Sequence, residues 1–393
     1  MKVVFLLTQD RGGPADLTTS LAVELAGRAN SPDVIILGPA SLADAGLPPT
    51  LLRPVHVQSK ADARGYSAVS DLLKELSPDI IHAQDRRAGL VSTLAAGRKT
   101  PIVLTFHGVP DNAAGRWAQA GPLRGRRPGM AGGSRLVADA LVSRTVTCTV
   151  APSAAMARFL RHELRVPARQ LRVLPNGVAI PARRHPAATV RTFVTVSSFA
   201  PCKATPVLVK AFMAAAGRRP GVRLLMIGEG EDRRLCEDLV RRSGRGHQVE
   251  FAGYRTDVPA QLERADAFVL PSVNENLPLA LLQAMATGMP CIAANIGGIP
   301  EALEGGCGAL VTPGDVRSLR RAMERLIEDP LLAARFGAAA RKRVAEGFSL
   351  VRCADDHVRL WSDILGKERG ENPARAAQPR SRRHGATGHP ARG

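Results

Sequence analysis

The sequence predicts an α/β protein of two doubly wound domains, each a parallel sheet covered by helices. Three observations point there. The chain has 393 residues, more than one ordinary core holds. Short apolar runs alternate with segments of helical spacing through both halves, the pattern of parallel strands joined by helical crossovers. A Pro- and Arg-rich stretch, residues 179–189, interrupts that alternation near the middle. The strand count by itself admits several two-domain arrangements.

In the first half, residues 3–8 form an apolar run and read as the first strand. Residues 15–28 follow with helical spacing. Runs at 33–37, 80–83, 102–106, 146–151 and 171–174 are bounded by turns and read as further strands. After the interruption a second series begins at 192–196. It continues at 223–227, 249–251, 267–270, 290–293 and 308–311, again with helical segments between. Residues 316–328 and 331–346 read as two helices. The stretch 351–365 places Val351, Ala354, Val358, Trp361 and Leu365 at helical spacing. Beyond Gly366 the composition collapses into Arg, Gly, Pro, Ala and Ser, with almost nothing to bury. The expected organisation is therefore a first domain over 1–182, a linker over 183–191 and a second domain over 192–346. A helix packing back spans 347–365, and a disordered basic tail 366–393.

Bulk properties narrow the class. A hydrophobic content of 45% fits a globular protein, and no apolar run is long enough to span a bilayer. The opening residues read as a strand, not as a secretion signal. Six scattered cysteines form no Cys-x-x-Cys pair, so neither a zinc site nor a disulfide framework is indicated, and a reducing cytoplasm is expected. The net charge of +19 suggests an anionic partner: a phosphorylated substrate, an acidic membrane or a nucleic acid. Solvated arginines in a biased composition are the other reading. Aromatics amount to only 4% and no recognition motif is present, so no nucleic acid is expected.

The most informative stretch is PSVNENLPLALLQAMATGMPCIAANIGGIPE, residues 271–301. Glu275 ends a short apolar run just before a helix. A carboxylate there can accept hydrogen bonds from a polyol, while the open amides of the helix start favour an anion. Asn276 and Leu277 supply such backbone amides. The arrangement suits a sugar carried on a phosphate. Gly12 and Gly13 lie between the first strand and first helix, where glycines let amides approach a phosphate. His107 ends the strand-like run at 102–106, where it can face the cleft, donate to a sugar hydroxyl or accept a proton near neutral pH. Gly228-Glu229-Gly230 lacks the third glycine of a dinucleotide loop, since Arg233 stands there, and a nicotinamide cofactor is rejected.

Residues 271–301 resemble the donor-binding signature of family-four glycosyltransferases, the glycosyl transferases group 1 of the GT-B class. Pro271, Ser272, Glu275, Ala284, Met285, Ala286, Gly288, Pro290, Gly297, Gly298 and Glu301 match in fixed order. The second Glu of the family's pair is replaced by Gln283. Arg11-Gly12-Gly13-Pro14 matches the family's first Gly-Gly turn, and Thr105-Phe106-His107-Gly108 its Thr-x-His-Gly. Pro175-Asn176-Gly177-Val178 matches the turn that closes the first domain. His82 matches a family habit too, but reads better as a satisfied strand-end residue. Where the family has Val-Gly-Arg-Leu-x-x-x-Lys, this chain has residues 196–203, VSSFAPCK. Lys203 fits the lysine, Ser198 stands for the arginine, and Ala204 for the glycine that follows. A serine gives a hydrogen bond without charge.

The resemblance covers nearly the whole chain to about residue 365 and selects the GT-B fold, two Rossmann-like domains facing a cleft. It implies a metal-independent, retaining glycosyltransferase with no cofactor and a nucleotide diphosphate sugar as donor. The acceptor is a carbohydrate or a lipid-linked sugar bound by the first domain, in polysaccharide or glycolipid assembly. Glu275 and His107 are the implied catalytic residues. Gly12, Gly13, Ser198, Lys203, Asn276, Leu277 and Gln283 are the implied donor contacts, and no metal ligand is expected. Arg116, Arg124, Arg126, Arg127 and Arg135, with Trp117, suggest peripheral attachment of a cytoplasmic enzyme to an anionic membrane surface. Two alternatives stay open: another GT-B enzyme such as a sugar-nucleotide epimerase, and a non-catalytic member that binds without turnover.

Overall fold

The computed structural model describes residues 1–97, 99–108, 130–182, 189–217 and 219–368. The first domain runs β1 (Lys2–Leu6), α1 (Gly13–Ala26), β2 (Asp33–Gly38), β3 (Leu52–Pro54), α2 (Ala63–Leu76), β4 (Ile80–Ala83) and α3 (Arg86–Ala95). It continues through β5 (Ile102–Thr105), α4 (Met130–Thr145), β6 (Cys148–Ala151), α5 (Ala154–His162) and β7 (Leu171–Val173). All strand pairs are parallel, in the order β3-β2-β1-β4-β5-β6-β7. The order reverses between β1 and β4.

The second domain repeats the plan. Its elements are β8 (Thr192–Val196), α6 (Thr205–Ala216), β9 (Arg223–Ile227), α7 (Arg233–Arg242), β10 (Val249–Gly253), α8 (Val258–Leu262), β11 (Ala267–Leu270) and α9 (Leu279–Thr287). Then follow β12 (Cys291–Ala294), α10 (Ile299–Ala302), β13 (Ala309–Val311), α11 (Val316–Glu328), α12 (Pro330–Gly347) and α13 (Leu350–Glu368). The sheet order β10-β9-β8-β11-β12-β13 reverses between β8 and β11. Ligands bind at such reversals, beyond the carboxyl ends of the strands.

The central strands are buried along their length because helices cover both faces. Polar side chains start several helices: Asp62, Asp85, Ser153, Asp315 and Asp329 each accept a hydrogen bond from a first-turn amide.

The last helix, α13, leaves the second domain and packs on the first. Val178 bridges Ser349, and Arg28 reaches Asp355 at 2.6 Å. A Cβ on Gly177 would lie 2.5 Å from Cys353 Cβ, so only glycine admits the helix there. Trp361 and His357 stack with Phe5 and His82 in the first domain's core.

Two expectations need correction. Strand β3 was not anticipated; it is three residues long and sits at the sheet edge. The last helix runs through Glu368, so residues 366–368 belong to it and not to a tail. The rest of the expected tail, and residues 183–188 of the expected linker, lie outside the described residues. So do Arg116, Trp117, Arg124, Arg126 and Arg127, and the side chain of Arg135.

Candidate active site

The two strands flanking the reversal in the second sheet bring a cation and a carboxylate together. After β8, a short turn, Pro201–Lys203, carries Lys203. After β11, the chain crosses to α9 through Glu275. The two loops are tied by Val273 N and Asn274 N, which donate to Cys202 O at 2.8 and 3.3 Å. Lys203 Nζ donates to Glu275 Oε1 at 2.6 Å, and Ser272 Oγ to the same oxygen at 3.1 Å. The pair is largely withdrawn from solvent, with side chains 23% and 9% exposed.

Ala204 takes the left-handed conformation, φ 52 and ψ 37. A residue with a Cβ is strained there, which explains why the family signature has glycine at this position. Ser198 is exposed in the loop after β8. That loop packs against Gly228-Glu229-Gly230. Added Cβ atoms there would sit 1.8 Å from Ser197 O and within 2.8 Å of the Phe199 backbone, so these glycines serve close packing. Gln283 is half-buried on α9. The first turn of α9 has no side-chain cap, and neither has that of α1. Gly12, at φ 87, and Gly13 border open space, with nothing within 4 Å of where a Cβ would stand. Both helix starts therefore offer amides to an anion.

On the first domain, His107 follows β5 and its Nε2 lies 3.0 Å from Gln84 Oε1. Burial, aided by nearby His357, lowers the ring's pKa from 6.5 to about 3. His107 is thus neutral near neutral pH. The neutral ring donates at one nitrogen and accepts at the other. His82 lies inside the core, with Nε2 2.8 Å from Thr105 Oγ1, away from the cleft.

Asn276 and Leu277 hold the domains together with atoms the sequence reading left aside. Asn276 Oδ1 accepts from Ser153 Oγ at 2.6 Å, and Nδ2 donates to the carbonyls of Phe106 and His107 at 3.4 and 3.3 Å. The Leu277 side chain is buried, and its carbonyl accepts from Asn176 Nδ2 at 2.7 Å. The Asn276 side chain is thus committed between the domains, and that of Leu277 to the core. Glu301 accepts from the amides of Ala154 and Ala155 at 2.8 Å each, at the start of α5 in the other domain. Gly298 lets the chains approach, since its Cβ would lie 2.7 Å from Ser153 Cβ. The Gly-Gly-x-x-Glu end of the signature is thus an interdomain latch, while its Glu275 end faces Lys203.

Sequence reasoning also passed over Gln84, Asp85, Ser153 and Tyr254. Asp85 receives Thr8 N and Thr8 Oγ1 at 2.7 and 2.9 Å, bracing the β1–β4 reversal. Arg11 lies over the Tyr254 ring, 5.2 Å from its centroid, across the domains. Their one usable signal was position just past strand ends, and only Gln84 and Asp85 stand beside a reversal as well. Among the described residues no cluster of three or more His, Cys, Asp or Glu side chains forms a metal-binding group.

The family described as Glycosyltransferase Family 4 matches residues 11–180, and Glycosyl transferases group 1 matches 180–343. A glycogen synthase of Mycobacterium tuberculosis is 30% identical over 77% of this chain and 72% of its own. An exopolysaccharide phosphotransferase of Streptomyces coelicolor is 28% identical over 85% of this chain. The chain spans only 33% of that relative's length. The UDP-Gal:alpha-D-GlcNAc-diphosphoundecaprenol alpha-1,3-galactosyltransferase of Escherichia coli is 25% identical over 81% of this chain and 83% of its own. Among solved structures, Anabaena HepE in complex with UDP and glucose superposes with a TM-score of 0.75 at 20% identity, over 92% of this chain and 99% of that one. At that identity the likeness speaks for the fold, which is GT-B.

Proposed function

Because the chain belongs to glycosyltransferase family 4, we propose that it moves a sugar from a nucleotide diphosphate donor to a carbohydrate or lipid-linked acceptor hydroxyl, in polysaccharide or glycolipid assembly. The observation that carries this reading is the Lys203–Glu275 pair beside the uncapped start of α9, at the reversal of the second sheet. In the free enzyme Lys203 is occupied by Glu275. An incoming diphosphate competes for Lys203, joins the amides of α9 and of the Gly12-Gly13 turn, and frees Glu275 for the sugar hydroxyls. Charge developing on the leaving diphosphate is then met by groups already in place. His107, neutral, donates or accepts at the transferred sugar, and Gln283 reaches the ribose. Transfer is metal-independent and retains the anomeric configuration; both expectations rest on the family resemblance. The relatives that build polysaccharide or extend a diphosphoundecaprenol-linked sugar support the assembly role.

The test is a panel of nucleotide sugars, with and without EDTA, scored for nucleoside diphosphate release and product anomer. At least one donor should be consumed in EDTA, with retention. Binding without consumption of any donor would identify the non-catalytic alternative, for which the loss of arginine at Ser198 is the specific argument.

The same reading places the acceptor domain against an anionic membrane. Val137 and Leu141 lie one turn apart on α4, both 59% exposed, and Leu94 on the neighbouring α3 is 66% exposed. The arginine-rich stretch precedes α4 in sequence. Each cation near an acidic leaflet contributes about 1 kcal/mol, enough in a handful for reversible attachment. Among the described residues no helix is long and apolar enough to cross a membrane. Co-sedimentation with acidic vesicles, lost in high salt and weakened in Leu141→Glu, is the expected result. Binding indifferent to lipid charge would contradict it.

A further inference from the structure

Gln84 follows β4 at the reversal of the first sheet, and its backbone amide donates to Leu6 O at 2.9 Å. Its side chain is fully buried. The amide oxygen lies 3.0 Å from His107 Nε2, while among the described residues the amide nitrogen has no partner. Burying an amide with half of its capacity unused is costly, and an apolar side chain of similar size would fill the space without that cost. Among the described residues, the side chain that Gln84 engages is His107. The backbone carbonyl of His107 is in turn held by Asn276, the neighbour of Glu275. His107 is thus held at its ring by Gln84 from its own domain and at its backbone carbonyl by Asn276 from the other.

We propose that Gln84 is a positioning residue for His107, its amide oxygen fixing the ring plane and keeping the proton on Nε2, so that Nδ1 is the acceptor. A neutral imidazole can carry its proton on either nitrogen, and the hydrogen bond at one decides the role of the other. Without Gln84 the ring has no tautomer preference from this side, and a hydroxyl meeting it finds a donor in some molecules and an acceptor in others. Among the described residues, the titratable groups that act on the ring are His357 of α13 and His82 of β4. Among the described residues, Gln84 is the hydrogen-bond partner of the ring. The consequence for turnover rests on the glycosyltransferase reading above; the consequence for the ring does not.

The test therefore has two arms. Nitrogen-15 NMR of the histidine rings should show His107 in the wild type as the Nε2–H tautomer, unchanged from pH 8 to pH 5. Gln84→Leu, which removes a buried polar group and should fold, should give mixed tautomers. Gln84→Glu should bring His107 titration into that pH window, because a carboxylate beside the ring favours its charged form. In the transfer assay, Gln84→Leu should lose about tenfold or more in kcat with KM little changed, as misplacement of a reacting contact does. An Nδ1–H ring in the wild type, or an unchanged tautomer and kcat in Gln84→Leu, would overturn the proposal. Absence of any transfer by the wild type would refute the glycosyltransferase reading, and the NMR arm would still decide the role of Gln84.

Discussion

Oε1 of Glu275 is shared by Lys203 and Ser272, so in the free enzyme the one lysine of the donor motif faces an acid. Ser198 stands where the family has arginine, and in the proposed function a diphosphate draws on Lys203. Lys203→Ala should weaken a nucleoside diphosphate by about 2 kcal/mol, as for loss of a charge-assisted hydrogen bond, and leave the nucleoside nearly unchanged. Calorimetry of the two ligands decides it; equal weakening would move the diphosphate away from Lys203. Ala204 beside it is strained, and Ala204→Gly should raise stability by about 0.5–1 kcal/mol, the relief of a left-handed Cβ less the added freedom of the unfolded chain. A lowered melting temperature would count against that strain. Glu275 and Lys203 were legible because both stand in local motifs just past apolar runs. Ser153 and Gln84 were not. Ser153 meets Asn276, 123 positions along the chain, and Gln84 meets His107, just past another strand; no local pattern encodes such meetings.

The elements show the same division. Strands buried on both faces are apolar throughout, which is why the runs at 80–83, 267–270 and their fellows mark strands within a residue or two. Strand β3 escaped because LRP offers no run, only three residues ending in proline at an edge. The latch between α10 and α5 escaped because Glu301 looks, in sequence, like part of a donor signature. Its carboxylate takes two amides at a helix start, where the dipole favours a negative charge. Glu301→Ala should cost about 1–2 kcal/mol, in the range of a lost helix cap, and loosen the closed arrangement of the domains. Chemical denaturation and small-angle scattering read the two effects. A variant as stable and as compact as the wild type would dismiss the latch.

The whole molecule is joined by α13, which leaves the second domain and buries Trp361 and His357 against Phe5 and His82 in the first. Burial holds His82 and His357 below the ordinary 6.5, and His107 at about 3. The unfolded chain therefore binds more protons than the folded one once the pH falls below about 6.5. Stability should be level above that pH and fall below it, by up to about 1.4 kcal/mol per pH unit for each histidine. Urea midpoints between pH 7.5 and pH 5 test this, and His357→Leu should flatten the slope. A midpoint that does not move across that range would contradict the buried neutral rings.

The central claim is that the carboxylate of Glu275 acts on the transferred sugar once a diphosphate has taken Lys203. Its most direct test is single-turnover consumption of the selected nucleotide sugar by Glu275→Gln beside the wild type, under saturating donor. The amide keeps the shape of the side chain and removes its charge, so donor should still bind, while the rate falls by about 100-fold or more, as for loss of a group that stabilises developing charge. A variant that consumes donor at the wild-type rate would contradict the account.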